Sequence, residues 1–189
     1  AGSRRDGIVN AISTGYGRTN VAFVTARSKT EIGCLSRWGR HHFSEAITII
    51  DIGGQDNKVI KLDQDGRRAS FKMNRKCAAG TGAFLEEMSL RLDIPLEAMD
   101  ALARQSLEMV KLGSYCTVFS ATEVLENIRH GKKVPDIVKG LFYSVVKRVL
   151  EMDSHAGRVV MTGGVVAHNP YIVEMAGEMA GRPVVLPEF

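Results

Sequence analysis

The sequence predicts an α/β fold, and three observations predict it. AITIIDI, at 46–52, is a continuous apolar and β-branched run, the pattern of a strand buried on both faces. Two alternating runs follow it across short turns. In the second half, helical periodicities alternate with the short apolar runs RVVMTGG and PVVL. There is no internal repeat and no low-complexity segment.

Element by element, GIVNAISTGYGR reads as a short strand ending in a turn at Gly15 and Gly17. From Val21 to about Arg40 the pattern is helical, and residues 41–45 make a connection. The strand at 46–52 stops at Gly53-Gly54. NKVIKLD (57–63) alternates, Gln64-Asp65-Gly66 supplies a turn, and RRASFKM (67–73) alternates again. Three strands joined by two tight turns make an antiparallel meander.

After Asn74 the chain turns mostly helical. Residues 83–92 place Phe84, Leu85, Met88 and Leu92 on one apolar stripe. Pro95 opens a second helix, running to about Val110. Residues 116–119, CTVF, read as extended, and Ser120 with Glu123 then reads as a capping box for a helix ending at Gly131. Pro135 opens a long helix through Leu150, with Val138, Leu141, Phe142, Val145, Val146 and Val149 on its buried side. RVVMTGG (158–164) is a buried strand, Asn169-Pro170 opens a helix that Gly181 stops, and PVVL (183–186) is the last strand.

The bulk properties exclude several classes. At 44% hydrophobic and 24% charged residues, this is the composition of an ordinary globular protein. The formal charge is +4, and the basic residues are scattered apart from Arg4, Arg5 and Arg37, Arg40, His41, His42. A solvated surface accounts for these, and no nucleic-acid motif accompanies them. No apolar run approaches the roughly 20 residues a membrane crossing needs, and no secretory leader is seen, so no membrane partner and a cytoplasmic location are expected.

Three cysteines, Cys34, Cys77 and Cys116, stand far apart with no CxxC pair. That spacing excludes an ordinary zinc ribbon or finger and makes a disulfide framework unexpected. Any metal role must use distant cysteines or a second chain. His130, His155 and His168 show no metal spacing, and His168 reads as a loop residue. Met73, Met88, Met99 and Met109 read as core filling.

Three stretches read as a strand followed by glycines: Asp51-Ile-Gly-Gly-Gln-Asp56, Ala79-Gly80-Thr81-Gly82 and Thr162-Gly163-Gly164-Val165. Such glycines let backbone N–H groups approach a phosphate with no Cβ in the way, and a following helix adds its positive end. None matches the P-loop or the GxGxxG fingerprint. Each alone reads as a tight turn; three in order weigh more toward a phosphate site than their sum.

The segments IIDIGGQDNKVIKL, NRKCAAGTGAFLEE, YCTVFSATEV and VVMTGGVVAHN closely resemble the ATP-dependent activators of 2-hydroxyacyl-CoA dehydratases. The related ATPase subunits of benzoyl-CoA reductase share these motifs. Both groups belong to the actin, Hsp70 and sugar-kinase superfamily. The resemblance runs from STGYGR nearly to the end of the chain, and CAAGTG with CTVF is its most specific part.

That resemblance implies an actin/Hsp70-like, ribonuclease H-like ATPase domain, with a mixed sheet flanked by helices. It implies that Asp51 handles Mg²⁺ and the attacking water, and that Gln55 orients that water. Phosphoryl transfer relies on positioning and electrostatics, so a neutral Gln is adequate there. By the same resemblance Gly53, Gly54, Gly80, Thr81, Gly82, Gly163 and Gly164 would close on ATP or ADP. Glu86 would reach the ribose hydroxyls, or else is a solvated helix residue. The family's first phosphate loop, D-x-G-S-T, is not in these 189 residues, nor is the small-residue helix expected after Pro187. The expected organisation is therefore the end of a truncated first ATPase domain with its connecting helix (1–44), then a second ATPase domain (45–189).

Cys77 and Cys116 are the metal-ligand candidates, both inside the quoted motifs. Two thiolates are half of what a [4Fe–4S] cluster takes, and the resemblance implies that a two-fold dimer supplies the other half. Cys34 lies outside the motifs and reads as packing. The expected function is ATP-driven delivery of low-potential electrons from an interchain cluster to a dehydratase. Its implied partners are a second copy, the dehydratase or a reductase component, and a reduced ferredoxin or flavodoxin. The alternatives are an ATPase subunit of a benzoyl-CoA reductase-type complex, a superfamily kinase, or a nucleotide-sensing module. A kinase has no use for the two motif cysteines.

Overall fold

In the computed structural model the described residues are 11–15, 17–21, 27–112 and 117–188. Their centre is a five-stranded mixed sheet, ordered β5-β4-β3-β6-β7. Strands β3 (Ile47–Ile52), β4 (Asn57–Leu62) and β5 (Arg68–Asn74) form the expected antiparallel meander. Strands β6 (Arg158–Thr162) and β7 (Val184–Val185) extend the sheet in parallel on the other side of β3. Near the start of the described chain, β1 (Ile12–Ser13) and β2 (Arg27–Ser28) pair in parallel as a separate short ribbon.

Both faces of the central strands are covered, which is why AITIIDI is apolar throughout rather than alternating. On one face Ile47, Ile49, Ile60 and Leu62 pack against Ile32, Leu35 and Trp38 of helix α1 (Glu31–His42). On the other, Ile50, Ile52, Val59, Val159 and Met161 join the larger core. That core is built from α2 (Gly82–Leu92), α3 (Met99–Arg104), α4 (Thr117–Arg129), α5 (Val134–Leu150), α6 (Gly164–His168) and α7 (Tyr171–Ala180). A buried Ile, Leu, Val or Phe side chain contributes about 1.5–3 kcal/mol, so these two layers hold the sheet between them. Helix α1 approaches closely at Gly39, where an added Cβ would lie 2.8 Å from the side chains of Ile49 and Leu62.

Several expectations need correction. The run 57–63 alternates in sequence, yet five of the six residues of β4 are buried, because α1 covers its second face. Of the helix expected from Val21, residues 22–26 lie outside the described residues, and the described helix begins at Glu31. Thr30 caps it, its Oγ1 accepting a hydrogen bond from the Gly33 amide at 3.1 Å, while Arg27-Ser28 upstream is extended. The helix expected from Pro95 to Val110 is a 3₁₀ turn at Leu96–Ala98 followed by α3, which ends at Arg104. Beyond it the Asp136 carboxylate accepts hydrogen bonds from the Ser106 hydroxyl at 2.7 Å and the Glu108 amide at 3.1 Å, drawing the chain into a loop.

Residues 117–119 are helical rather than extended, and Ser120 is a fully buried residue inside α4 rather than its cap. Ala121 and Val124 face the core on that helix, so its register is set by burial and not by the S-x-x-E pattern. His168 closes α6, a short helix the sequence pattern does not announce. The helices after Asn74, Pro135 and Pro170 lie where expected, and Gly181 ends α7 in the left-handed region, at φ +62°. No helix among the described residues is long and apolar enough to cross a membrane.

At the sheet end away from the glycine turns, the fold has a titrating residue. Burial pushes the His155 imidazole below its ordinary pKa. Lys61 adds to that, Asp153 opposes it and Arg182 reinforces it. A histidine whose folded pKa is depressed takes up its proton more readily when unfolded. Stability is therefore lost as pH falls from the free-histidine value of about 6.5 through the lower folded value. The melting temperature is expected to drop between neutral pH and pH near 5, and His155→Gln should flatten that arm of the profile. An unchanged slope in the variant would assign the drop to other groups.

Candidate functional site

The glycine turns meet at one end of the sheet. Strand β3 carries Asp51 near its end, and the register sets it directly opposite Lys58 on β4 and Thr162 on β6. Both neighbours use that placement. The Thr162 hydroxyl donates to Asp51 Oδ1 at 3.0 Å, and the Lys58 ammonium lies 3.2 Å from Asp51 Oδ2. Asp51 is thus held by one strand on each side, with both oxygens engaged.

After β3 the chain turns sharply, the Gly53 amide donating to the Asp56 carbonyl at 2.9 Å. This turn is pinned to the start of α2. The Gly82 amide donates to the Gly53 carbonyl at 2.9 Å, and the Ala83 amide to the Gly54 carbonyl at 2.8 Å. A Cβ on Gly82 would sit 3.0 Å from the Gly54 Cα, so a glycine is what lets the two segments touch. Asn57, fully buried, donates to the Gly80 carbonyl at 2.8 Å and ties β4 to the same loop. The Thr81 hydroxyl turns back to the Ala78 carbonyl at 2.6 Å.

The third glycine pair follows β6. Gly163 has φ +100°, and a Cβ there would lie 2.3 Å from the Ile52 carbonyl oxygen. Gly163 therefore serves the close approach of β6 to β3. Gly54 and Gly164 differ: a Cβ on either would meet nothing within 4 Å, so their backbones border open space. The predicted glycines thus divide into those that hold the turns together and two whose backbones border open space. Next to Gly163 a cavity of about 230 Å³ opens, lined by Leu35 and Trp38 of α1 and by Thr162, Val166 and Ala167. That is below the usual range of about 300–1,000 Å³ for a ligand pocket.

Gln55 is exposed at the tip of the β3–β4 turn, four residues past Asp51. Glu86 is exposed on α2, where the structure gives its carboxylate no role. Cys77 lies half-buried in the loop between β5 and α2, where Asn74 Nδ2 donates to its carbonyl at 3.2 Å. Cys116 lies outside the described residues, one position before the first described residue of α4. Cys34 is half-buried on α1, with its thiol 3.3 Å from the Thr14 hydroxyl.

Sequence reasoning missed Glu31, Asp56 and Lys58. Lys58 lies 2.9 Å from Glu31 and 2.5 Å from Asp56, in addition to Asp51. Burial pulls its pKa down, but the hydrogen bond to Asp56 and then the Glu31 and Asp51 carboxylates outweigh that, and the result is raised above the ordinary lysine value. The available signal was the strand pairing itself: two tight-turned strands place Asp51 and Lys58 side by side. Among the described residues, no three His, Cys, Asp or Glu side chains are arranged to hold a metal ion.

Comparison with known proteins follows the same lines. A sequence profile described as the BadF/BadG/BcrA/BcrD ATPase family matches residues 1–185. The 2-hydroxyisocaproyl-CoA dehydratase activator of Clostridioides difficile is 38% identical over 190 residues, covering 99% of this chain and 71% of its own length. The activator of lactoyl-CoA dehydratase of Anaerotignum propionicum is 37% identical over 190 residues, covering 99% of this chain and 73% of its own. A solved structure of the 2-hydroxyisocaproyl-CoA dehydratase activator from Clostridium difficile, with bound ADPNP, superposes with a TM-score of 0.90 at 38% identity, covering 98% of this chain and 69% of that one.

Proposed function

Since the chain belongs to the BadF/BadG/BcrA/BcrD ATPase family, we propose that it acts as the ATP-dependent activator of a 2-hydroxyacyl-CoA dehydratase. In this role it delivers low-potential electrons to the dehydratase from a [4Fe–4S] cluster shared by two copies of the chain. One observation carries the reading: Cys77 stands three residues before a loop, 80–82, that is hydrogen-bonded to the turn after Asp51. A group held at Cys77 and a nucleotide held at the turns would share one short segment. The names of the relatives above support the choice of partner.

In this reading residues 1–44 close a first ATPase domain and 45–189 form the second, which carries both sites. Asp51, fixed by Thr162 and Lys58, directs its charge at the cation and the water, and Gln55 orients that water. Asp51 is the residue that would hold Mg²⁺, which would supply charge neutralisation at the phosphates. Gly54 and Gly164 are where the backbone has room to approach ATP or ADP. The remaining predicted glycines and Thr81 shape that cradle, and Glu86 is the candidate for the ribose.

The cysteines fit a thiolate-ligated cluster in kind but not in number, since one chain supplies Cys77 and Cys116 alone. Two chains about a two-fold axis supply four. When bound, the cluster would accept and release one electron. What the chain contributes is the loop that holds Cys77 and the nearby N-terminus of α2, whose dipole favours negative charge. The donor would be a reduced ferredoxin or flavodoxin, and the setting the cytoplasm.

The test is anaerobic reconstitution with iron and sulfide, then mixing with a purified 2-hydroxyacyl-CoA dehydratase, a reductant and ATP. Dehydration that requires this protein and ATP together is expected. A colourless monomer, or dehydration unaffected by ATP, would refute the reading.

A further inference from the structure

Lys58 is 3% exposed and faces three carboxylates brought in by three different elements. Asp51 comes from β3, Asp56 from the turn after it, and Glu31 is the first residue of α1. Burying an ammonium is costly unless it is paired and hydrogen-bonded, and a lysine offers three donors for these three acceptors. The three carboxylates leave two negative charges in formal excess over the one ammonium. The arrangement therefore depends on Lys58: without it, three acidic groups would repel one another inside a half-closed site.

We propose that Lys58 is a positioning residue for the nucleotide reaction, holding Asp51 and Asp56 in one orientation and, through Glu31, fixing the start of α1 to the same point. This rests on the ATPase reading and deepens it. The position of α1 and the shape of the turn at 53–56 are then set together. Helix α1 also covers the sheet face from which Asp51 and Lys58 project, through Ile32, Leu35 and Trp38, so a shift of one is felt by the other. Lysine suits this task better than arginine, whose planar fork matches one carboxylate at a time.

The experiment compares Lys58→Met, Lys58→Arg and Glu31→Gln with the parent chain in ATP hydrolysis and in thermal unfolding. Lys58→Met keeps the stem and removes the charge. It is expected to lower kcat on the order of 100-fold, the scale of a misplaced catalytic group, with little change in KM for ATP. Lys58→Arg should rescue only part of this. Glu31→Gln, the milder change should Lys58→Met fold poorly, is expected to lower kcat less and again spare KM. In unfolding, the Glu31→Gln/Lys58→Met double variant should melt above Lys58→Met alone, because it removes a carboxylate left without its partner.

Retained kcat in a less stable Lys58→Met variant would make the residue merely structural and overturn the proposal. A raised KM at unchanged kcat would do the same, by placing Lys58 on the nucleotide. Should the parent chain hydrolyse no ATP, that result speaks to the first phosphate loop these 189 residues lack, and not to Lys58. Coupling between Glu31 and Lys58 in the unfolding cycle then decides the tie to α1, and additive effects would overturn it.

Discussion

Cys77→Ala is expected to abolish the visible sulfur-to-iron absorbance of the reconstituted protein, and with it the bridging of two chains. The effect should be complete rather than partial. In a two-fold dimer one substitution removes two of the four thiolates at once, and a [4Fe–4S] cluster does not persist on two. Cys34→Ala should leave both properties intact. Cys34 lies on α1, which packs on the sheet face away from α2, and its thiol sits 3.3 Å from the Thr14 hydroxyl. Absorbance and sedimentation measured side by side on the two variants separate the roles. If the Cys34 variant lost its colour instead, the assignment of ligands would be wrong. Melting of the cluster-free Cys77→Ala protein should change little, since the side chain is only half-buried in a loop.

Much of the fold was legible because its cues are local. The run at 46–52 could only be a strand covered on both faces, and the two short turns after it fixed the meander. Prolines and glycines marked the ends of α5 and α7. What the pattern missed was decided by contacts distant in sequence. The loop after α3 forms because Asp136, about 30 residues on, captures Ser106 and Glu108. Ser120 looked like a cap because its spacing to Glu123 is right, yet burial of Ala121 and Val124 sets the helix register. Strand β4 alternates in sequence, yet α1 covers its second face.

The site shows the same division. Its glycines and Asp51 stand in recognisable strings, and the structure brings 53–54, 80–82 and 163–164 to one end of the sheet. Glu31 carries no local signal at all. It joins Lys58 only because α1 lies back across β3 and β4, a tertiary fact with no trace in the residues around it. The roles of individual glycines were likewise invisible, since a glycine that clears space for a neighbouring backbone and one that clears space for a ligand are spelled alike.

That distinction gives the sharpest contrast the fold offers. Gly163→Ala is expected to be severely destabilising, whereas Gly164→Ala is expected to fold normally. At Gly163 a side chain must adopt φ +100°, which costs roughly 1–3 kcal/mol by itself. Its Cβ would also press to 2.3 Å from the Ile52 carbonyl oxygen and 2.7 Å from the Ile52 carbonyl carbon, both fixed in the central strand. Relieving that overlap means parting β6 from β3, and overpacking of this kind costs a further 1–3 kcal/mol or so. Together these approach the lower end of total domain stability, about 5–15 kcal/mol. The altered strand pair also carries Asp51 and Thr162, so any folded fraction should bind nucleotide poorly. At Gly164 the added methyl meets no protein atom. Chemical unfolding should therefore leave Gly164→Ala near the parent, while its affinity for ADP falls if that open space is where the nucleotide lies. Equal stability of the two variants would show that β6 can move away from Ile52 at little cost. Undiminished ADP binding by Gly164→Ala would place the phosphates elsewhere, against Gly54 and the start of α2.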